Sequence, residues 1–340
     1  MLCAASEVLQ RHEDEFATRH VLFAGDLQDD YCLHMPAASR RVHTAHYARF
    51  LSLRPRLGDA ISYGIMADAK WVEGTDTLIY YWPKTKQEAL MQLSQLCSVL
   101  PAGCDIFIVG ENRVGVRSAE SLLSAYGNAH KIDSARRCGL YHLHLTAQAP
   151  FALDQWWHSY ALDTLTIHAL TGVFSSGELD TGTRLLLSTL SEPRQGRALD
   201  VGCGAGVIGA HLAQQSPSLQ VTLSDINAMA VESARVTLAN NQLTGTVLAS
   251  DVFSDISDRF DLIVSNPPFH DGADTCYRAT ELLIREAPQH LLPGGELRIV
   301  ANAFLPYPDL LDSVFGTHEV LAVTGRFKVY RAVLTRNAGK

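Results

Sequence analysis

The chain lacks several features that would place it at once. Its seven cysteines (Cys3, Cys32, Cys97, Cys104, Cys138, Cys203 and Cys276) form no C-x-x-C pair and are odd in number. That excludes a zinc ribbon and a disulfide framework and leaves reduced, mostly buried thiols, with no metal site expected. No apolar run approaches the roughly 18 to 20 residues that span a bilayer. The first stretch, with Glu7, Arg11, Glu13, Asp14 and Glu15, has no signal-peptide core, so a cytoplasmic protein without membrane contact is expected. The basic surplus usual in nucleic-acid binders is also missing. The formal net charge is −8, with 15 Lys/Arg against 16 Asp/Glu over residues 1–150 and 13 against 20 over 151–340. Any contact with nucleic acid must rest on local patches or on a partner whose phosphates are already neutralised.

What is present is the composition of an ordinary globular protein, 47% apolar and 19% charged, in 340 residues. That length suits two domains better than one core. The halves echo each other. Asp76-Thr77-Leu78-Ile79-Tyr80-Tyr81-Trp82-Pro83-Lys84 resembles Asp261-Leu262-Ile263-Val264-Ser265-Asn266-Pro267-Pro268-Phe269. Each is followed by a helical pattern, then by Leu100-Pro101-Ala102-Gly103 or Leu292-Pro293-Gly294-Gly295, then by the strands Asp105 to Val109 or Glu296 to Val300. Ala135 to Tyr141 parallels Gly325 to Tyr330. Several elements repeated in one order signal a duplication. The expected fold is α/β: two tandem Rossmann-like domains, 1–150 and 151–340, joined near Thr146 to Pro150, with the first copy degenerate.

In the first half a helix is expected over Ser6 to Phe16, with Ser6 as N-cap, then a strand His20 to Ala24 that ends in a Gly25-Asp26 turn. This half has neither a glycine repeat nor an Asn-Pro-Pro. Tyr80, Tyr81, Trp82, Lys84, Arg113, Arg117, Arg136 and Arg137 combine planar and cationic groups suited to RNA, so a scaffold or substrate-positioning role is expected of it.

Chemistry concentrates in the second half. Leu199-Asp200-Val201-Gly202-Cys203-Gly204-Ala205-Gly206 reads as a strand entering a glycine loop that opens a helix, where backbone can approach a nucleoside. A second strand, Gln220 to Leu223, ends in Asp225-Ile226, placing an acid where ribose hydroxyls can donate to it. Asp251-Val252, at a third tip, can meet an adenine. Upstream, Gly172 to Gly177 and then Leu179 to Leu187, with Asp180 or Thr181 as a helix cap, are close enough to cover the loop, which makes Phe174 a candidate wall.

Gly204-x-Gly206-x-x-Gly209 also fits the dinucleotide fingerprint, with Asp225 near the expected position about 20 residues on. An NAD(P)-dependent oxidoreductase is therefore a rival. Asp200 directly before the loop favours a sulfonium cofactor, whose methionine part carries an ammonium, over a pyrophosphate. The sharper motif is Asn266-Pro267-Pro268-Phe269. The prolines fix φ and supply no N–H, so this turn offers carbonyl oxygens beside the Asn266 side-chain oxygen. Such acceptors orient an NH₂ group and stabilise positive charge as its nitrogen attacks a methyl in line. Phe269 offers a stacking face, and His270 and Asp271 a proton shuttle or base contact.

With these motifs the chain resembles class I S-adenosylmethionine-dependent methyltransferases of exocyclic amines, and among them the 16S ribosomal RNA guanine-N2 methyltransferase family. The likeness runs through Phe23 to Asp30, Leu78 to Lys84, Val109 to Glu120, Asp133 to Tyr141, Leu199 to Gly206, Val264 to Gly272, Leu297 to Pro308 and Gly325 to Ala332. It implies a catalytic second half and a cofactor-free first half that aids substrate binding. It also implies a guanine presented on the small ribosomal subunit. A monomer is expected. The cofactor role falls to Asp200, Gly202, Gly204, Asp225 and Asp251, with Cys203, Gly206, Ile226, Val252 and Phe174 beside them. The amine-binding role falls to Asn266, Pro267, Pro268 and Phe269. Substrate contacts are expected from Phe269, His270, Arg326, Lys328, Arg136, Arg137 and Lys84. The motif alone leaves adenine N6, cytosine N4 and a glutamine amide open as targets.

Overall fold

The computed structural model describes residues 1–268 and 273–335, with main chain only over 273–276. Phe269, His270 and Asp271 lie outside the described residues. The chain forms two compact units, Met1–Trp156 and Trp157–Lys340. Residues 145–152 carry no regular structure.

The first unit holds β1 (His20–Gly25), β2 (Ser39–Thr44), β3 (Ile61–Tyr63), β4 (Thr77–Tyr81), β5 (Asp105–Glu111), β6 (His130–Ala135) and β7 (Cys138–His144), in the order β3-β2-β1-β4-β5-β7-β6. The second holds the hairpin β8 (Trp157–Leu162) and β9 (Leu165–Leu170), then β10 (Arg197–Val201), β11 (Gln220–Asp225), β12 (Thr246–Ala249), β13 (Phe260–Ser265), β14 (Leu291–Asn302), β15 (Glu319–Val323) and β16 (Phe327–Val333). Its main sheet runs β12-β11-β10-β13-β14-β16-β15. The two sheets share one topology position for position, as the internal repeat implies: five parallel strands, then an antiparallel pair. In the second unit β10 lies between β11 and β13, where the chain's direction of travel across the sheet reverses. Ligands bind at that switch point, outside the carboxyl ends of the strands.

Central parallel strands are covered by helices on both faces and read as continuous apolar runs rather than alternating ones. Leu199, Ile263 and Leu297 from neighbouring strands are all at or below 1% exposure and share one core cluster. The same rule overturns the RNA-stacking expectation for Tyr80, Tyr81 and Trp82. They run along and just past β4, the counterpart of β13, and are exposed by only 0%, 2% and 5%, so their rings fill the core. The N-terminal helix also differs from expectation. It is two helices, Ala4–Gln10 and Glu13–Phe16, and Ser6 sits inside the first, where its hydroxyl meets Asp29 Oδ1 (2.9 Å) and the Tyr81 hydroxyl (2.8 Å). Its oxygen serves buried tertiary partners instead of capping.

The β8–β9 hairpin is fastened to the helix Ala228–Asn240 in a regular way. The backbone N–H groups of Leu170, His168 and Thr166 donate to Ser233 Oγ (3.0 Å), Thr237 Oγ1 (3.0 Å) and Asn241 Oδ1 (2.9 Å). Thr237 and Asn241 donate back to the carbonyls of His168 and Thr166. Positions four apart on one helix face rise about 6 Å, close to two residues of strand, so the periods match. Replacing Thr237 by Val keeps the shape but leaves the His168 N–H and C=O without their partner. Urea unfolding should report a loss of about 1 to 3 kcal/mol, and an unchanged midpoint would show that the anchor contributes nothing.

Candidate active site

The site is built at the carboxyl edge of β10. Beyond Val201 the chain turns through Gly202, Gly204 and Gly206, all at positive φ (68°, 52° and 83°), and enters the helix Val207–Gln215. Side chains added at Gly202 or Gly204 would meet nothing within 4 Å, because those positions face open space, whereas at Gly206 one would press on Ala234 at 3.1 Å. Two glycines thus keep a ligand cradle clear and the third lets helices pack. The loop is pinned by Cys203 N–H to the Ser224 carbonyl (2.9 Å) and Gly204 N–H to Asp225 Oδ2 (2.9 Å).

Asp225 Oδ1 accepts from the Asn227 N–H (2.9 Å). Burial pushes the Asp225 carboxyl up, and the N–H groups of Asn227, Gly204 and Ile226 oppose the rise. At the tip of β12, Asp251 is half-buried and its carboxyl is also raised by burial. Val252 holds φ of 51°, costly for a β-branched residue. Ser250 maintains this turn, with its N–H on the Asp225 carbonyl (3.0 Å) and its hydroxyl on the Val252 carbonyl (2.9 Å).

Asp200 is placed beneath the loop rather than in the cleft. It is fully buried, Oδ2 accepts from the Gly209 N–H (3.0 Å), and Oδ1 has no partner among the described residues. That bond ties the end of β10 to the first turn of the helix Val207–Gln215. Cys203 lines the cleft, and burial, then the Asp225 and Asp200 charges, raise its thiol well above the usual value.

The Asn-Pro-Pro turn stands on the next strand. β13 is held beside β10 by Ser265 Oγ donating to the Val201 carbonyl (2.7 Å). Asn266 follows, half-buried, and its Nδ2 donates to Asp180 Oδ2 (3.1 Å) and Thr183 Oγ1 (2.8 Å). Asp180 is also the N-cap of the helix Thr181–Ser188, accepting from the Thr183 N–H at 2.9 Å and the Thr183 hydroxyl at 3.4 Å. With both bonds made by Nδ2, the amide oxygen is the end of Asn266 available to a ligand. Phe174 (58% exposed), Asp180, Thr183, Tyr160, Gly202 to Ala205 and Asn266 enclose one cleft with about 400 Å³ of open space. The structure thus joins the glycine loop, the Phe174 wall and the Asn-Pro-Pro turn, in which Pro267 is buried and Pro268 exposed.

Other expected residues lie elsewhere. Asp225, Ile226, Asp251 and Val252 occupy the tips of β11 and β12, to one side of this cleft. Exposed Arg326, over the Phe327 ring at 5.4 Å, and half-buried Lys328 begin β16 on the other side. In the first unit Arg136 and Arg137 form the β6–β7 turn, both at positive φ (53° and 62°), with Arg136 Nε 2.9 Å from Glu7 Oε2. Burial raises the carboxyls of Asp26 and Glu88, and the charge of nearby Lys84 opposes the rise. Sequence reasoning missed Thr183 and the second duty of Asp180. The capping pattern was visible, but its bonds to Asn266 join residues 83 and 86 positions apart.

An open α/β sheet with a glycine cradle and an Asn-Pro-Pro turn at its switch point defines a class I S-adenosylmethionine-dependent methyltransferase. Comparison agrees: residues 164–331 match the family model "Methyltransferase small domain" and residues 6–160 "Methyltransferase small domain N-terminal". Proteins named ribosomal RNA small subunit methyltransferase C are 58% identical over 334 residues in Cronobacter sakazakii (98% of each chain) and 58% identical over 335 residues in Pectobacterium atrosepticum (98% of this chain, 96% of that one). The solved structure of a T. Thermophilus 16S rRNA N2 methyltransferase (RsmC) in complex with AdoMet and guanosine superposes with a TM-score of 0.84 at 24% identity, covering 98% of this chain and 92% of that one. The chain belongs to the ribosomal RNA small subunit methyltransferase C family. The dinucleotide oxidoreductase is thereby set aside.

Burial pushes the Asp200 carboxyl up to about 7, with the Gly209 N–H opposing and Asp225 adding to the rise. The folded state then holds the proton more tightly than the unfolded one, so this contribution to stability is complete below the ordinary carboxylate range and is lost as pH rises through about 7. In the ligand-free protein, Asp200→Asn should flatten the fall in melting temperature between roughly pH 4 and pH 7. A variant as pH-sensitive as the parent would show that Asp200 is not the titrating group.

Proposed function

We infer that this chain transfers the methyl group of S-adenosylmethionine to the exocyclic N2 amine of a guanine in 16S rRNA. The observation that carries this is the Asn266 amide, held by its nitrogen in the same cleft as the open glycine loop, in a chain 58% identical to the curated relatives. The donor set fits the cofactor. Gly202 and Gly204 leave room for it, Phe174 supplies an apolar wall, and Asp225, Ile226, Asp251 and Val252 offer acceptors and surface at the strand tips for its nucleoside. When bound, the cofactor supplies a sulfonium methyl to an attacking nitrogen.

The rest is done by the chain. Asn266 Oδ1 accepts an N–H of the guanine amine, and the Pro267 and Pro268 main chain offers further carbonyl acceptors. Together they orient the nitrogen lone pair and stabilise charge as it develops. Asp180 and Thr183 act as positioning residues, since without them the amide could turn its NH₂ to the substrate and repel an N–H. Phe269 and His270, outside the described residues, are assigned to the flipped base on sequence grounds. The product proton leaves through an acceptor oxygen or water, and no strong base is required.

RNA is approached through local patches: Arg326 and Lys328 beside the catalytic edge, and Arg136 and Arg137 on the first unit, with a lesser part for Lys84 beside its carboxylates. The first unit, 1–150 in the sequence reading, serves substrate binding. The protein works in the cytoplasm on the small ribosomal subunit, as a monomer and without a metal. Among the described residues there is no group of three or more His, Cys, Asp or Glu able to hold a metal ion, and no helix long and apolar enough to cross a membrane.

Asn266→Ala should abolish methyl transfer to small subunits while leaving S-adenosylmethionine affinity within a few fold by calorimetry, and a fully active variant rejects the mechanism. Thr183→Val should slow transfer about tenfold and Thr183→Ser restore it, the scale of one orienting hydrogen bond. Mass mapping of rRNA from cells with and without the gene tests the target base. Arg136→Ala with Arg137→Ala should raise KM for subunits severalfold and leave cofactor affinity alone, and an unchanged KM removes these arginines from the RNA surface.

A further inference from the structure

The Tyr160 hydroxyl is buried and has no hydrogen-bond partner among the described residues, although Tyr160 lines the cleft with Phe174, Asp180 and Gly202. Buried polar atoms are nearly always satisfied, so an orphan on a residue that lines a ligand cleft points to a partner carried by the ligand. Burial, and secondarily the Asp180 charge, push this phenol up to about 12, so it stays protonated and donates.

Its place on the fold selects the acceptor. Tyr160 pairs with Ile167 in the β8–β9 hairpin, which is hydrogen-bonded to the helix Ala228–Asn240, and it lines the cleft with Asp180 and the loop Gly202 to Ala205. The ribose and adenine acceptors are assigned to the tips of β11 and β12. What remains for the part of the cleft shared by Tyr160, Asp180 and the loop is a small zwitterion, which needs an anionic acceptor beside a neutral donor.

We propose that Tyr160 donates a hydrogen bond to the carboxylate of the methionine portion of S-adenosylmethionine, with the Asp180 carboxylate facing the neighbouring ammonium. This rests on the cofactor assignment above. It makes Tyr160 a binding residue set apart from the amine-orienting machinery, and it explains why a tyrosine is placed where its hydroxyl is otherwise wasted.

The test is calorimetry on the full chain with S-adenosylmethionine and with its decarboxylated analogue, which keeps the ammonium and the sulfonium. Tyr160→Phe should weaken S-adenosylmethionine about ten- to hundredfold, the effect of removing a hydrogen bond to a charged group. The variant should bind the decarboxylated analogue within twofold of the parent protein. The ligand-free melting temperature should not fall, because the hydroxyl has no partner to lose. Equal affinity of both proteins for S-adenosylmethionine, or an equal loss for both ligands, overturns the proposal. So does a variant impaired only toward the small subunit, since the hydroxyl would then serve the RNA. Failure of the parent protein itself to bind S-adenosylmethionine counts instead against the proposed function.

Discussion

Two hydrogen bonds from Asn266 Nδ2, to Asp180 Oδ2 and Thr183 Oγ1, decide which end of one amide faces the cleft. Nitrogen and oxygen are nearly the same size, so shape alone cannot make that choice. An acceptor and a donor presented to an amine have opposite effects, and the discrimination is electrostatic. Asp180 can make it because it is already fixed as the cap of the helix Thr181–Ser188. The cap therefore has two tasks, starting a helix and orienting the Asn266 amide. Fastening the turn to that helix also keeps the distance between the glycine loop and the turn from depending on Asn266 alone, as does the Ser265 bond to the Val201 carbonyl.

The duplication shows how one topology supports both an open and a closed strand edge. In the second unit the loop after β10 leaves space at Gly202 and Gly204. In the first unit the counterpart strand β1 ends at Gly25, where a side chain would collide with the Tyr81 carbonyl oxygen, and the Asp26 N–H donates to that same oxygen at 2.9 Å. Backbone fills backbone there, and Leu27, Tyr31 and Met35 continue the core. The first unit's two consecutive arginines in left-handed conformation at the β6–β7 turn stand where glycine or asparagine would be cheaper, and strain of that kind tends to be kept where a side chain has work to do.

The helix Ala228–Asn240 and β9 show a quieter constraint. Ser233, Thr237 and Asn241, at helical spacing, read the main chain of alternate β9 residues, so a two-stranded hairpin that could not stand alone is built into the unit. That hairpin brings Tyr160 to the cleft wall. An isolated polar stripe on a buried helix face would ordinarily be unfavourable, and here each polar atom has a main-chain partner.

The sequence by itself determined the class of fold, the repeat, the glycine loop and the Asn-Pro-Pro turn, because these follow from local rules: apolar runs for buried strands, glycine where backbone must approach a ligand, proline where φ must be fixed. It also determined the family. Only tertiary structure decided what each polar group does. Asp200, adjacent to the loop in sequence, faces inward to the Gly209 N–H. Tyr80, Tyr81 and Trp82, aromatic and apparently suited to stacking, lie in a strand covered on both faces. Thr183 and Tyr160 reach the cleft because hydrogen bonds over long sequence separations bring their elements there. Periodicity and turn chemistry report on neighbours along the chain, whereas the direction and partner of a side chain are set by whatever packs against it.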